Sequence, residues 1–106
     1  MIKVTYYIAT CDKDTCKKEL LDRDFYKVFD ELFGNYTLQK AQGVYTMQKT
    51  KTVVKEDTFI VTTLIQESRD KKLDEYKINN NIEVIKNILN QELILVEVSK
   101  PSVMFL

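Results

Sequence analysis

The stretch from Gly34 to Gln66 constrains this chain most. It holds two β-prone runs, residues 36–48 and residues 57–66, separated by a polar tip, Gln48-Lys49-Thr50-Lys51-Thr52. Runs rich in β-branched and aromatic residues on either side of a polar turn make a β-hairpin. An isolated hairpin is marginal in water and needs further strands, or a helix, against its apolar face. The flanks supply both, with one strand-like and one helix-like segment on each side.

In the N-terminal flank, Ile2, Val4, Tyr6 and Ile8 alternate with Lys3, Thr5, Tyr7 and Ala9. This period of two predicts a half-buried strand over 2–9. Residues 10–20 are polar and read as a surface loop. Leu21, Phe25, Val28, Phe29 and Leu32 then form one helical stripe, with Asp22 or Asp24 as the cap. Gly34 is expected to end this helix in the left-handed conformation.

In the C-terminal flank, residues 67–72 are a charged connection. Ile78, Ile82, Ile85 and Leu89, with Leu73 upstream, predict a helix over roughly 71–90, frayed where Asn79-Asn80-Asn81 interrupt it. A strand over 92–99 follows, with Ile94, Val96 and Val98 on one face and Leu93 and Leu95 on the other. Pro101 ends it, and Val103 to Leu106 is expected to add an edge strand or fold under the sheet.

Two details concern the hairpin itself. Tyr36 and Leu38 share one parity, whereas Ala41, Gly43, Tyr45 and Met47 share the other, so a bulge is expected near Gln39–Lys40. The second strand carries apolar residues on both faces, Phe59, Val61 and Ile65 against Ile60 and Leu64, as a central strand does.

The order βαββαβ is the ferredoxin-like α+β arrangement. Two right-handed crossovers place both helices on one face of an antiparallel sheet, with a short C-terminal extension. A chain of 106 residues, 44% apolar, is expected to form a single domain over 1–106 with a core that needs neither disulfide nor metal.

Composition bounds the chemistry. Sixteen basic and sixteen acidic residues leave zero net charge, whereas a chain that neutralises many phosphates usually carries a basic excess. Nucleic acid is therefore not an expected partner. The chain has no histidine, so neither a Ser-His-Asp nor a Cys-His nucleophile can be built. The start lacks a basic region followed by an apolar one, and the longest clear aliphatic run, Leu93 to Val96, is far short of a membrane span. A cytoplasmic protein with reduced thiols is the expectation, with no membrane partner.

Several residues are candidates for function. Cys11 and Cys16 stand as Cys-x-x-x-x-Cys with Asp12 and Asp14 nearby, an incomplete zinc set, so no metal, no cofactor and no catalytic residue is assigned. Tyr7 and Tyr45 could both face away from the helices, where RNA-binding domains of this fold stack bases. The third strand lacks the lysine or arginine that such domains carry there. Lys49 and Lys51, with Lys40 and Lys55, make the hairpin a basic arm suited to an acidic partner or to phosphate. Glu56 and Asp57 are adjacent, point to opposite faces and read as a charged start to the strand. Leu95 belongs to an apolar set on the helix-free face that a second copy of the chain would bury as a homodimer.

The runs Gly34-Asn35-Tyr36-Thr37, Gly43-Val44-Tyr45, Glu56-Asp57-Thr58 and Asn90-Gln91-Glu92-Leu93-Ile94-Leu95-Val96 give the chain a resemblance. It resembles small uncharacterised ferredoxin-like proteins of bacteriophages and mobile elements in low-GC bacteria. The resemblance implies a phage or plasmid origin and carries over no catalytic residue. Phage proteins of this size often bind a host protein. The leading expectation is thus a non-enzymatic interaction module with a host protein as possible partner. The alternatives are a small-molecule-binding or cofactor-free enzyme domain of the dimeric α/β-barrel type, and a weak nucleic-acid binder.

Overall fold

The computed structural model describes the chain except Lys13, Cys16, Glu19, Met47, Glu92, Leu93 and residues 103–106, and describes Tyr45 by its backbone alone. The elements run β1 (Ile2–Ala9), α1 (Asp22–Leu32), β2 (Thr37–Thr46), β3 (Val53–Ile65), α2 (Lys71–Leu89) and β4 (Leu95–Ser99). The sheet order is β2-β3-β1-β4, and every pairing is antiparallel. This is the ferredoxin-like order expected from the sequence. The expected C-terminal strand, or fold under the sheet, at 103–106 lies outside the described residues.

Both helices share one face. Ile2, Val4, Tyr6 and Ile8 of β1 and Phe59 and Val61 of β3 are buried together with Phe25 and Phe29 of α1 and Ile85 and Leu89 of α2. The packing is aromatic-rich: Phe59 lies 5.1 Å from Phe25 and 5.6 Å from Phe29, ring centre to ring centre, and Tyr6 lies 5.1 Å from Phe33. Offset and edge contacts of this kind add to the area that such rings bury. Val98 keeps the parity of Val96 but remains exposed on the edge strand.

The helix ends differ from the expectation at Gly34. No glycine has a positive φ, and α1 stops at Phe33 in an extended conformation. Its start is held by Asp24, whose carboxylate accepts the Leu21 N–H at 3.3 Å. The Tyr36 hydroxyl donates to Asp30, which ties β2 back to α1 and pushes the pKa of the phenol up to about 12. Helix α2 runs unbroken through Asn79-Asn80-Asn81, so the expected fraying is not seen. Asp70 caps it by accepting the Lys72 N–H at 2.9 Å, and Asn90 takes the left-handed cap at φ 48°. No described helix is long and apolar enough to cross a membrane.

The hairpin register is uninterrupted from Thr37↔Thr62 to Thr46↔Val53, so the expected bulge is absent. The parity change has another cause. Lys40 is the last residue of β2 with a helix above it, since its ammonium meets Asp22 at 2.7 Å and Asp57 at 3.4 Å and lies 5.9 Å from the Phe59 ring centre. Lys18 also pairs with Asp22, and the two lysines hold the Asp22 carboxyl below its ordinary value. Beyond this point no core exists on the helix side, and Val44 and Val53 are exposed. Lys51 adopts a positive φ of 58° in the tip, a conformation that costs a non-glycine residue roughly 1–2 kcal/mol. The tip residues Gln48 to Thr52 are exposed. Their amides are expected to exchange within seconds to minutes and those of residues 58–65 orders of magnitude more slowly. Protection at the tip equal to that of β3, by exchange mass spectrometry, would refute this.

Candidate functional site

Strand alternation divides β3 into two sets. Phe59 and Val61 point into the core, and Ile60, Thr62 and Leu64 lie on the helix-free side. Glu56 is in phase with this second set and Asp57 with the first. Asp57 accordingly meets Lys40 on the helix side. The opposite orientation expected for the pair is therefore present, but Glu56 is no charged start to a strand. It is the fourth residue of β3, and it is buried at 7% exposure.

The loop after β1 meets Glu56 through Cys11. One Glu56 carboxylate oxygen accepts the Cys11 N–H at 2.8 Å. The Cys11 carbonyl accepts the Gln91 side-chain amide at 2.6 Å, and Gln91 is also 7% exposed. Thr10 anchors the loop through its hydroxyl, which donates to the Asp57 carbonyl at 2.9 Å. Asp12 accepts the Asn90 side-chain amide at 2.6 Å, and its other oxygen accepts the N–H groups of Asp14 and Thr15 at 2.8 and 3.1 Å. The backbone of Cys11 thus joins an acid from β3 to an amide from the segment after α2. On β2, Gly43 faces Glu56, and a Cβ added to Gly43 would stand 2.5 Å from the Thr58 hydroxyl. Glycine is what permits the two strands to approach with that hydroxyl between them.

A buried carboxylate has about four acceptor directions. Among the described residues, no Lys or Arg lies within 4 Å of Glu56. Such a group favours a cation or a strong donor as its next neighbour. Among the described residues no group of three or more Cys, Asp or Glu is arranged to hold a metal ion. Cys11 is half-buried, and its expected companion Cys16 lies outside the described residues.

The residues singled out from sequence fall in two places. Tyr7 and Leu95 are directly opposite each other on the helix-free face. The Tyr7 hydroxyl is hydrogen-bonded to Glu97, which raises its pKa above the ordinary phenol value. Leu95 is 62% exposed. Tyr45 pairs with Val54 in the outer hairpin, while Tyr7 pairs with Ile60. Six residues of strand separate those partners, roughly 20 Å, so the two tyrosines are not brought together. Lys49 and Lys51 lie farther out still, at the exposed tip. The sequence suggests Asp12 only beside the cysteines and Glu56 only beside Asp57, and does not join them with Asn90 and Gln91 into one site. The available signals were an acid in phase with Ile60 and Leu64, and two amides directly after a helix. Among the described residues, a hollow of ≈ 140 Å³ adjoins this cluster at Thr10, Asp12 and Asn90, and a cleft of ≈ 470 Å³ lined by Tyr6, Phe33, Asp74 and Asn81 lies apart from it.

No protein-family model matches the chain, and no curated protein sequence does either. Solved structures do. A phage SAM lyase in complex with S-methyl-5'-thioadenosine superposes with a TM-score of 0.75 at 17% identity, covering 93% of this chain and 80% of that one. The same kind of enzyme in its apo state gives 0.69 at 16% identity, covering 92% and 78%. CutA1 from Pyrococcus horikoshii OT3 gives 0.56 at 11% identity, covering 99% and 87%, and the divalent ion tolerance protein CutA1 from Ehrlichia chaffeensis gives 0.53 at 14%, covering 98% and 84%. These likenesses show that the chain shares the ferredoxin-like fold of a phage lyase and of CutA1.

Proposed function

We propose that this protein is a cofactor-free lyase that cleaves S-adenosylmethionine (SAM) and releases S-methyl-5'-thioadenosine. The observation that carries the reading is Glu56, a buried carboxylate with spare acceptor capacity on the helix-free side of the sheet. It supports the enzymatic alternative over a purely non-enzymatic module. SAM carries two cations, its sulfonium and its α-ammonium, and a desolvated carboxylate selects such a ligand. The phage SAM lyase fold adds the substrate class.

The chemistry asks little of the protein. When the bond from sulfur to the amino-acid chain breaks, its electron pair stays on sulfur as a neutral thioether. The carbon left behind takes its new bond from the carboxylate oxygen of the same molecule, closing a lactone, so that no proton has to be moved. No water is consumed and no metal or histidine is required, which fits a chain without histidine. Glu56 holds the cationic part of SAM, and Gln91 holds the carbonyl of Cys11, the residue whose N–H meets Glu56.

A second copy covers the helix-free face in this reading, a homodimer or larger homo-oligomer. Ile60, Leu64, Tyr7 and Leu95 supply the apolar surface, and an open sheet face beside Glu56 excludes water only when covered. Tyr45, Lys49 and Lys51 on the hairpin arm are proposed to reach that partner. A cytoplasmic setting follows from the substrate.

The test is incubation of purified protein with SAM and chromatography for S-methyl-5'-thioadenosine. Turnover is expected, with Glu56→Gln reducing kcat/KM by about 100-fold or more, the scale for losing a buried charged contact. Absence of both turnover and binding of S-methyl-5'-thioadenosine by calorimetry would refute the lyase.

A further inference from the structure

We propose that Asn90 is a positioning residue, whose side-chain clamp onto Asp12 and Asp14 sets the course of the loop through Cys11, the residue whose N–H aims Glu56. The inference rests on the lyase reading for its kinetic consequence. Its structural core does not.

The geometry is a chain of contacts. Asn90 ends α2 in the left-handed conformation, at φ 48° and ψ 54°. Its own N–H and that of Gln91 both return to the Lys86 carbonyl, the latter at 3.0 Å. This turn sends the chain off the helix so that the Asn90 amide reaches Asp12 at 2.6 Å and Asp14 at 3.0 Å. The next residue, Gln91, reaches the Cys11 carbonyl at 2.6 Å. Adjacent residues of one segment therefore hold adjacent residues of the other. The Cys11 N–H, on the far side of the same residue, is what the Glu56 carboxylate accepts.

Asparagine suits both demands at this point. It is among the few non-glycine residues that adopt the left-handed conformation readily. Its amide is a neutral donor that can face two carboxylates, where an acid would repel them and an alanine would leave them without it. Two substitutions separate these roles. Asn90→Gly keeps the left-handed turn and removes the clamp. Asn90→Asp keeps the shape and sets a third carboxylate against Asp12 and Asp14. The exchange Asp12→Asn with Asn90→Asp restores one bond with donor and acceptor reversed, because the amide carbonyl then present at position 12 still accepts the loop N–H groups.

The experiment measures kcat and KM for SAM, and hydrogen exchange of the Cys11 amide, in all three variants. Asn90→Gly is expected to retain cooperative unfolding and to lower kcat about 10- to 100-fold, the scale of a misplaced catalytic group. KM should move less. Asn90→Asp should do the same, and the double exchange should recover part of the loss, since Asp14 still faces a carboxylate. In each slowed variant the Cys11 amide should exchange roughly 10-fold faster or more, as a loosened local contact does. Unchanged kcat and unchanged Cys11 exchange in Asn90→Gly would overturn the proposal. Should the unmodified protein neither turn over SAM nor bind S-methyl-5'-thioadenosine, the lyase reading falls alone. Cys11 exchange then decides the clamp by itself: faster in Asn90→Gly supports it, unchanged refutes it.

Discussion

Phe59→Ala is expected to destabilise the protein by about 3–5 kcal/mol, the range for truncating a fully buried aromatic ring. Phe59 is 0% exposed and lies in the central part of the sheet between Ile8 on β1 and Lys40 on β2. Three rings of α1, those of Phe25, Tyr26 and Phe29, pack against it within 5.8 Å, and the Lys40 ammonium lies over it. Removing it leaves a cavity lined from both layers, which backbone collapse cannot fill because β3 is paired on both sides. With total stability of a domain at about 5–15 kcal/mol, such a loss brings the chain near the unfolding threshold. Chemical denaturation of Phe59→Ala and Phe59→Leu measures it. A Phe59→Ala loss below about 1.5 kcal/mol, well under the range for a buried ring, would mean that α1 is not seated on the sheet as described.

The second large effect concerns the opposite face. Leu95→Lys is expected to convert an oligomer into monomers while the helical circular dichroism signal persists. Leu95 is 62% exposed and Leu64 38% exposed in the single chain, and with Tyr7 and Ile60 they form an apolar set without a helix above it. Burying one leucine contributes about 1.5–3 kcal/mol, so placing an ammonium there would raise a micromolar dissociation constant by roughly 10- to 100-fold or more. Sedimentation of the unmodified protein, Leu95→Lys and Leu64→Lys tests it. A monomeric unmodified protein at about 100 μM would sink the oligomer, since a micromolar contact is saturated at that concentration.

The fold is largely legible in the sequence because α1 and β1 carry clean periods and the order of the described elements follows from them. The stripe Leu21, Phe25, Val28, Phe29, Leu32 and the alternation of residues 2–9 need no tertiary information. Which face of β3 meets the helices is not legible, since Phe59 with Val61 and Ile60 with Leu64 are equally apolar pairs. Only the register with β1 resolves it, by pairing Ile8 with Phe59 and Tyr6 with Val61. A change of apolar parity along β2 implies a bulge only where one continuous core lies over the strand. Here the core ends at Lys40 and the hairpin continues past it, so the parity changes without a bulge. Glu56 escapes a sequence reading for a different reason. An acid in a strand is ordinarily solvated, and Glu56 here is buried and meets a loop residue 45 positions away. Contacts of that range leave no local pattern. Gln91 and Asn90, which meet the loop across 80 and 78 positions, are equally silent.

The position of β1 in the sheet also shapes how the chain must be made. β1 is translated before its two neighbours, yet it sits between them, pairing Ile2 with Ile65 and Lys3 with Ser99. At synthesis rates of about 5–20 residues per second, roughly 5–20 s pass between the first strand and the last. During that interval Val4, Tyr6 and Ile8 belong to a strand with an unsatisfied edge, the arrangement most prone to pairing with other chains. A topology dominated by such distant pairings also folds slowly for its size. The edges of β1 are therefore closed only once β3 and β4 have both emerged.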